Sequence, residues 1–162
     1  MAVTNDIVAS WRRPREVMRR HLNLGQREDR ALIFLMLACV LIFVAQLPYL
    51  SRLAQIDTTI PLDARVQSAL YGWLFVMPLV GYALSFLIWG VLRAFRKNIS
   101  AYQARLAFFW TLLAVTPASL FFGLCRGFLG DTSGTAIAGL ILSFGFFYIL
   151  IQSLREAMIA EA

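Results

Sequence analysis

Few residues in this chain have the type and spacing that catalysis or metal binding requires. His21 is the only histidine, and no carboxylate or cysteine cluster accompanies it at the spacing of metal ligands. Asp57 and Asp63 are isolated carboxylates with no histidine or glycine-rich phosphate-binding loop beside them. Intramembrane hydrolases and transferases need carboxylates, histidines or an activated serine at depth. We therefore predict a protein that is not an enzyme, with no catalytic residue, no metal site and no cofactor.

The strongest chemical signal is a cluster of arginines in the first thirty residues. Apolar residues recur among them at roughly helical spacing, namely Ile7, Val8, Trp11, Val17, Met18 and Leu22. This pattern predicts an amphipathic segment that Pro14 divides into two helices, because proline lacks an amide donor and suits a first helical turn. The predicted residues for binding lipid headgroups or a partner are Trp11, Arg12, Arg13, Arg15, Arg19 and Arg20.

Two roles for these arginines remain open at this stage. In the first, the segment lies in the headgroup layer, with Trp11 and the aliphatic residues buried in lipid and the arginines on lipid phosphates. Each basic residue near an anionic leaflet then contributes about 1 kcal/mol. In the second, the arginines stay solvated and only enforce topology. Binding to nucleic acid is excluded as the main role, because no aromatic residues alternate with the arginines in a base-stacking pattern.

Four apolar stretches must position these residues. They cover residues 31–49, 69–92, 106–124 and 135–151, and none contains Asp, Glu, Lys, Arg or His. Each is long enough, or nearly so, to cross about 30 Å of hydrocarbon at about 1.5 Å per residue. The predicted fold is all-α: a polytopic membrane bundle of four transmembrane helices with an N-terminal amphipathic interfacial helix. Its parts are a cytoplasmic basic arm (1–30), a transmembrane domain (31–153) and a cytoplasmic tail (154–162).

The distribution of positive charge predicts the orientation. Twelve of the fifteen lysines and arginines lie before the first span, between the second and third, or after the fourth. Positive charge near the ends of spans is retained in the cytoplasm. Both termini are therefore expected in the cytoplasm. The net charge of +6 favours anionic lipid headgroups as the nearest partner.

Small residues four positions apart predict where helices approach closely inside the membrane. Such pairs stand on one helical face and permit tight backbone packing in lipid. The predicted packing positions are Gly81 with Ser85, Gly123 with Gly127, and Gly139 with Ser143. Contact between helices of one chain is the favoured use, and a homodimer face is the alternative.

The segment Trp11-Arg12-Arg13-Pro14-Arg15-Glu16-Val17, followed by Glu28-Asp29 and a compact set of spans, resembles the bacterial YIP1-domain family, in particular its short alphaproteobacterial members. The resemblance covers residues 6–156. Eukaryotic members are non-enzymatic membrane proteins that contact small GTPases and organise secretory membranes, usually with five spans. This chain has four spans and lacks their acidic-tyrosine-glycine-proline signature, so a GTPase partner does not carry over. The resemblance implies a scaffold or accessory role.

We therefore expect an integral protein of the bacterial inner membrane that organises lipid or binds a larger membrane complex as a small accessory or assembly subunit. Its expected partners are anionic lipids and a membrane protein or further copies of itself. The alternative is a small oligomeric transporter or channel component. That alternative is based on the kink-permitting prolines and on Gln46, Tyr82 and Thr116.

Overall fold

The computed structural model describes residues 3–159, which form helices without any strand among them. Two short helices, α1 (Val3–Arg12) and α2 (Pro14–Asn23), precede the longer elements. These are α3 (Glu28–Ile56), α4 (Leu62–Tyr71), α5 (Met77–Ala94), α6 (Ala101–Leu129) and α7 (Ser133–Ile159). Within the described residues, four segments are long and apolar enough to cross a membrane: Glu28–Ile56, Leu62–Ala94, Ala101–Leu129 and Ser133–Ile159. The protein is a multi-pass membrane protein, and the predicted all-α fold class is confirmed.

Local sequence explains where several helices begin and end. Arg13 separates α1 from α2, and Pro14 occupies the first turn of α2, as the sequence predicted. Ser100 caps α6 in a reciprocal capping box, in which its hydroxyl accepts from the Gln103 amide and the Gln103 side chain accepts from the Ser100 amide. Gly130 ends the same helix at a positive φ of 70°, where a side chain would be strained.

Prolines shape the second membrane segment. Pro78 has no amide hydrogen, so the carbonyl one turn before it cannot form its ordinary helical bond. Just before this proline, residues Gly72–Val76 form a π-helical turn, in which the Met77 amide donates to the Gly72 carbonyl. This turn joins α4 to α5 without interrupting the segment Leu62–Ala94.

Helix α6 is the centre of the bundle. It packs against α1, α3, α5 and α7, and its contact with α3 is the most extensive in the molecule. The residues of α6 from 102 to 116 are almost all buried by protein, and the main core contains Phe34, Leu35, Phe109, Trp110 and Leu113. By contrast, α5 and α7 expose large apolar side chains such as Leu79 and Phe144, which are 75% and 74% exposed. These outer faces are suited to lipid.

The two ends of the bundle differ in composition. At one end, here called the arm end, α1 and α2 meet the start of α3, the connection between α5 and α6, and the last turns of α7. At the opposite, far end lie the α3–α4 and α6–α7 connections. Helix α7 continues through residues 154–159, and Ala157 is buried there, so the described part of the predicted tail is helical and packed. Residues 160–162 lie outside the described part of the chain.

Candidate functional site

The N-terminal arm packs into the cleft between α6 and α7. The indole nitrogen of Trp11 donates to the carbonyl oxygen of Ala114 in α6, at 3.0 Å. The same ring lies against Gly145 of α7, where an added Cβ would come within 2.8 Å of it. Trp11 therefore fills a gap that exists because position 145 has no side chain.

A proline prepares the α6 side of this contact. Pro117 cannot donate to the carbonyl of Leu113, which instead accepts a hydrogen bond from the Thr116 hydroxyl at 2.8 Å. The next carbonyl, that of Ala114, is the one that receives the Trp11 indole. The prolines were predicted only to permit kinks, but here a perturbed turn of α6 lies beside the carbonyl that binds the arm.

A second tryptophan anchors the arm closer to the arm end. The Trp110 indole nitrogen donates to the buried Ser10 hydroxyl at 3.0 Å, and that hydroxyl in turn donates to the Asp6 carbonyl at 2.7 Å. His21 packs against the rings of Trp110 and Phe34, at centroid distances of 4.2 and 5.4 Å. The arm thus contributes polar groups to the core.

His21 occupies this core in its neutral form. Both ring nitrogens are buried and have no hydrogen-bond partner among the described residues. Burial lowers the pKa of His21 from 6.5 to about 4, Asp6 opposes the shift, and Arg30 and Arg20 add to it. No group of three metal-ligating side chains occurs in residues 3–159.

Three arm arginines have protein partners: two bind side chains of α7, and the third links α2 to α1. Arg19 pairs with the buried carboxylate of Glu156 at 2.6 Å, and Arg20 pairs with Asp6 at 3.0 Å. The hydrogen bond that Arg19 donates to Glu156 raises the pKa of Arg19. Arg15 donates to the side-chain oxygen of Gln152 at 2.7 Å. These side chains were predicted to bind lipid or a partner, and here they bind the protein itself.

These contacts define an antiparallel helical hairpin, called the arm hairpin and formed by α1 and α2. Its two helices are cross-linked near the arm end by Asp6 and Arg20, while the Trp11 ring, next to the tip Arg12-Arg13-Pro14, contacts Ala114 and Gly145. Those two positions lie eight and six residues inside the spans predicted at 106–124 and 135–151, or roughly 9–12 Å. The hairpin therefore lies along the bundle rather than only across its end.

In the first of the two roles expected for the arm, lipid covers its apolar face, whereas in the structure protein covers most of this face. Val17 and Met18 are fully buried against protein, and Trp11 contacts α6 and α7, so the bundle covers the residues that were expected to sit in lipid. Val8 stays 67% exposed. Arg12 and Arg13 are exposed at the hairpin tip. Arg13 has only a local ion pair with Glu16 at 3.6 Å, and Arg12 has none in the described residues.

The two acidic residues in the first turn of α3, Glu28 and Asp29, pair with different arginines. Asp29 pairs locally with Arg27 at 3.0 Å, whereas Glu28 reaches across to Arg105 of α6. Nearby, the Tyr102 hydroxyl accepts from the Arg27 amide at 3.1 Å. The connection between α2 and α3 is thereby fixed to α6.

The predicted small-residue positions lie in different settings. Gly123 and Gly127 press α6 against α3 so closely that a Cβ on either would overlap Ala45 or Pro48. Gly81 is buried, and a Cβ added there would lie 3.0 Å from a methyl group of Leu35.

The remaining predicted positions make looser contacts. The buried Ser85 hydroxyl donates to the Tyr82 carbonyl on its own helix, at 2.8 Å. An added Cβ on Gly139 would make ordinary contact with the Phe122 ring, at 3.4 Å. Ser143 is exposed, and its hydroxyl donates to the Gly139 carbonyl at 2.9 Å. The α3–α6 contact is thus the tightest of the three pairs.

The far end contains a cavity of about 350 Å³ between α3, the π-helical turn and α6. Gln46, Ser119 and Arg126 supply its polar lining. Arg126 stacks over the Tyr49 ring at 3.9 Å and pairs with Asp131 at 2.9 Å, and this pair lowers the pKa of Asp131. Gln46 lines this cavity, whereas Thr116 is not among the lining residues and is buried with its hydroxyl bonded to its own helix.

Another far-end carboxylate also has partners, although it was predicted to be isolated. Asp57 accepts hydrogen bonds from Thr59 and pairs with Arg65 at 2.6 Å, and these contacts lower its pKa to about 2. The Asp57 group therefore stabilises the turn between α3 and α4.

Several residues that hold the arm hairpin together or bind it to the bundle were not predicted from the sequence. They are Asp6, Ser10, Trp110, Gly145 and Glu156. Only Glu156 carried a usable signal, as a carboxylate just past an apolar span opposite an arginine-rich arm. Comparisons with protein-family models, curated proteins and solved structures return no match to the chain. The resemblance to YIP1-domain proteins stays a prediction.

Proposed function

We propose that the chain is a non-enzymatic scaffold or accessory protein of the bacterial inner membrane, in the manner of YIP1-domain proteins, with both termini cytoplasmic. In this proposal it organises lipid around the arm hairpin or joins a larger membrane complex through it. The observation that supports the proposal is the depth that the hairpin reaches: the Trp11 ring contacts Ala114 and Gly145, and the next two residues, Arg12 and Arg13, are exposed.

The two sides of the bundle make different demands on the surrounding lipid. Leu32 and Ile33 of α3 are 42% and 59% exposed near the arm end, so hydrocarbon is needed to that level on their side. On the hairpin side, the Trp11 ring, which precedes the exposed Arg12 and Arg13, reaches roughly 9–12 Å deeper. Two arginines left in hydrocarbon cost about 5–7 kcal/mol on insertion scales. Thinning the bilayer costs fractions of a kcal/mol per Å, so headgroups are expected to follow the arginines inward.

A local depression of one leaflet is a means of organising membrane without chemistry. An amphipathic hairpin that occupies headgroup volume on one side also favours curvature. The accessory-subunit version uses the same surface: a partner protein would supply carboxylates to Arg12 and Arg13 in place of phosphates.

The first test is electron cryo-microscopy of proteoliposomes made from phosphatidylcholine and phosphatidylglycerol, at increasing protein content. The full chain is expected to reduce vesicle diameter or local bilayer thickness, and Arg12→Leu/Arg13→Leu to lose the effect. The matched control is Arg27→Leu/Arg155→Leu, which removes two exposed cations elsewhere at the arm end and is expected to retain it.

The accessory version is tested by mild-detergent affinity purification of the natively expressed chain, followed by mass spectrometry. Stoichiometric recovery with a membrane complex, lost in Arg12→Leu/Arg13→Leu, is the expected result. Unchanged vesicles together with recovery of a free monomer would exclude both versions.

The far-end cavity favours transport as a second candidate function. Its mixed lining, with Gln46 and Ser119 among apolar residues, suits a small amphiphilic solute. Solute flux in proteoliposomes that falls on Gln46→Leu would support transport. Flat flux across ion and solute panels would remove this candidate.

A further inference from the structure

We propose that the connection between α5 and α6 binds the phosphate of an anionic phospholipid at the arm end. The cations of this site, called the loop site, are Arg93, Arg96 and Lys97. Together with Asn98 and Ile99 they line one cavity of about 380 Å³. A phosphodiester carries one negative charge and several acceptor oxygens, which suits a group of guanidinium and ammonium donors.

The charges of the loop site are uncompensated. In the described residues, none of Arg93, Arg96 and Lys97 forms an ion pair. The arm and the bundle differ in this respect, because Arg19, Arg20 and Arg105 all have carboxylate partners. The arginines in the middle of the arm are therefore neutralised by carboxylates, whereas the three cations of the loop site are not.

The backbone of the loop site includes a non-glycine residue, Arg96, with a positive φ. The end of α5 is closed by bonds from the Arg96 amide to the Arg93 carbonyl and from the Lys97 amide to the Leu92 carbonyl. Arg96 adopts a positive φ of 56°, the position that glycine usually occupies in this type of helix end. An arginine in a strained position is expected where its side chain has a use.

The surroundings of the loop site favour a lipid over a soluble anion. The Trp89 indole donates to the Ile99 carbonyl at 3.2 Å and so ties the loop to α5. The Arg93 guanidinium lies 5.4 Å from the centre of the Trp89 ring. Phe95, inside the loop, is 73% exposed and needs an apolar neighbour. A phospholipid supplies the anion and the acyl chains together.

The test uses the full chain purified in a neutral detergent and titrated with phosphatidylglycerol, with bound lipid counted by native mass spectrometry. Arg93→Gln/Arg96→Gln/Lys97→Gln is expected to weaken binding tenfold or more. Arg96→Gly alone is expected to weaken it about fivefold, the loss of one basic contact. Because glycine suits the Arg96 backbone, this variant is expected to fold at least as well as the natural chain.

The matched control is Arg15→Gln/Arg27→Gln/Arg155→Gln, which removes the same charge from exposed positions of the arm, of the segment between α2 and α3, and of α7. Its affinity is expected to change less than twofold. Equal losses in the two triple variants would show general charge attraction and overturn the site, as would full binding by the loop variant. Displacement of the lipid by millimolar inorganic phosphate would assign the site to a free anion instead.

This measurement involves neither vesicles nor a partner protein. The loop site can therefore fail while the scaffold proposal stands, and it can hold if vesicle shape and complex formation prove independent of the arm hairpin.

Discussion

The indole of Trp11 donates a hydrogen bond to the Ala114 carbonyl across 103 positions of sequence, at 3.0 Å. The bond joins the first helix of the chain to the middle of the most buried one. It depends on two residues that do not take part in it: Pro117, which perturbs the acceptor turn, and Gly145, which leaves room for the ring. The arm is thereby part of the bundle.

Loss of this bond should loosen the arm without unfolding the spans. Trp11→Phe keeps most of the ring and removes one hydrogen bond, so arm docking should weaken by about 1 kcal/mol, or about fivefold in the undocked population. Limited trypsin digestion at the arm arginines measures this population. Val8→Ala, at an exposed position of α1, is the control and should digest at the natural rate. Equal digestion of both variants would show that the Trp11 bond does not hold the arm.

The ion pair between Arg19 and Glu156 should respond unequally to loss of either partner. The Glu156 side chain is only 4% exposed, whereas that of Arg19 is 63% exposed. Arg19→Ala leaves a buried carboxylate unpaired, while Glu156→Ala leaves an arginine that water can solvate. The melting temperature should therefore fall further for Arg19→Ala. The double variant should lie close to Glu156→Ala, and a reversed order would contradict the buried position of Glu156.

The α3–α6 contact should not tolerate a methyl group at position 123. A Cβ there would lie 2.7 Å from the carbonyl carbon of Ala45, and main-chain atoms cannot move aside as a flexible side chain can. Gly123→Ala should cost at least the roughly 1–3 kcal/mol typical of overpacking. Gly90→Ala is the control, since nothing lies within 4 Å of its added Cβ. Alanine should stabilise that helix by about 0.5–1 kcal/mol. Thermal unfolding in detergent measures both changes.

Stability should depend on pH through His21. Its pKa is about 4 in the folded protein against 6.5 for the ordinary side chain, so the unfolded chain binds more protons between these values. The contribution of His21 to the free energy of unfolding is fully present above about pH 6.5. It falls as the pH drops and levels off below about pH 4. The slope is at most about 1.4 kcal/mol per pH unit.

Replacement of His21 by an apolar ring separates this effect from other titrations. His21→Phe keeps a ring against Phe34 and Trp110 and removes two buried nitrogens that lack partners. Its melting temperature should be flatter between pH 4 and 6.5 than that of the natural chain. An unchanged pH profile would mean that another group titrates in this window.

The amino-acid sequence was sufficient to predict the spans and the division of the arm. Hydrocarbon length sets the size of an apolar run, and a proline without an amide donor interrupts a helix whatever its neighbours are. Both signals are local. The break before Pro14 and the four membrane-length segments follow from them and appear in the structure.

The contacts of the arm did not follow from the sequence. An amphipathic segment has the same pattern whether lipid or protein covers its apolar face, and only the packed helices show that protein covers Val17 and Met18. Gly145 gave no sign of its role, since its partner Trp11 lies far away in the sequence.

The sequence by itself therefore determined which segments are helical and which are apolar enough to enter a membrane, because these properties depend on neighbouring residues. Only the tertiary structure decided which arginines are paired and which are free. Ion pairs such as Arg19 with Glu156 form between groups 137 positions apart, and their geometry exists only once the helices have packed. That packing leaves Arg12, Arg93, Arg96 and Lys97 available to lipid or to a partner.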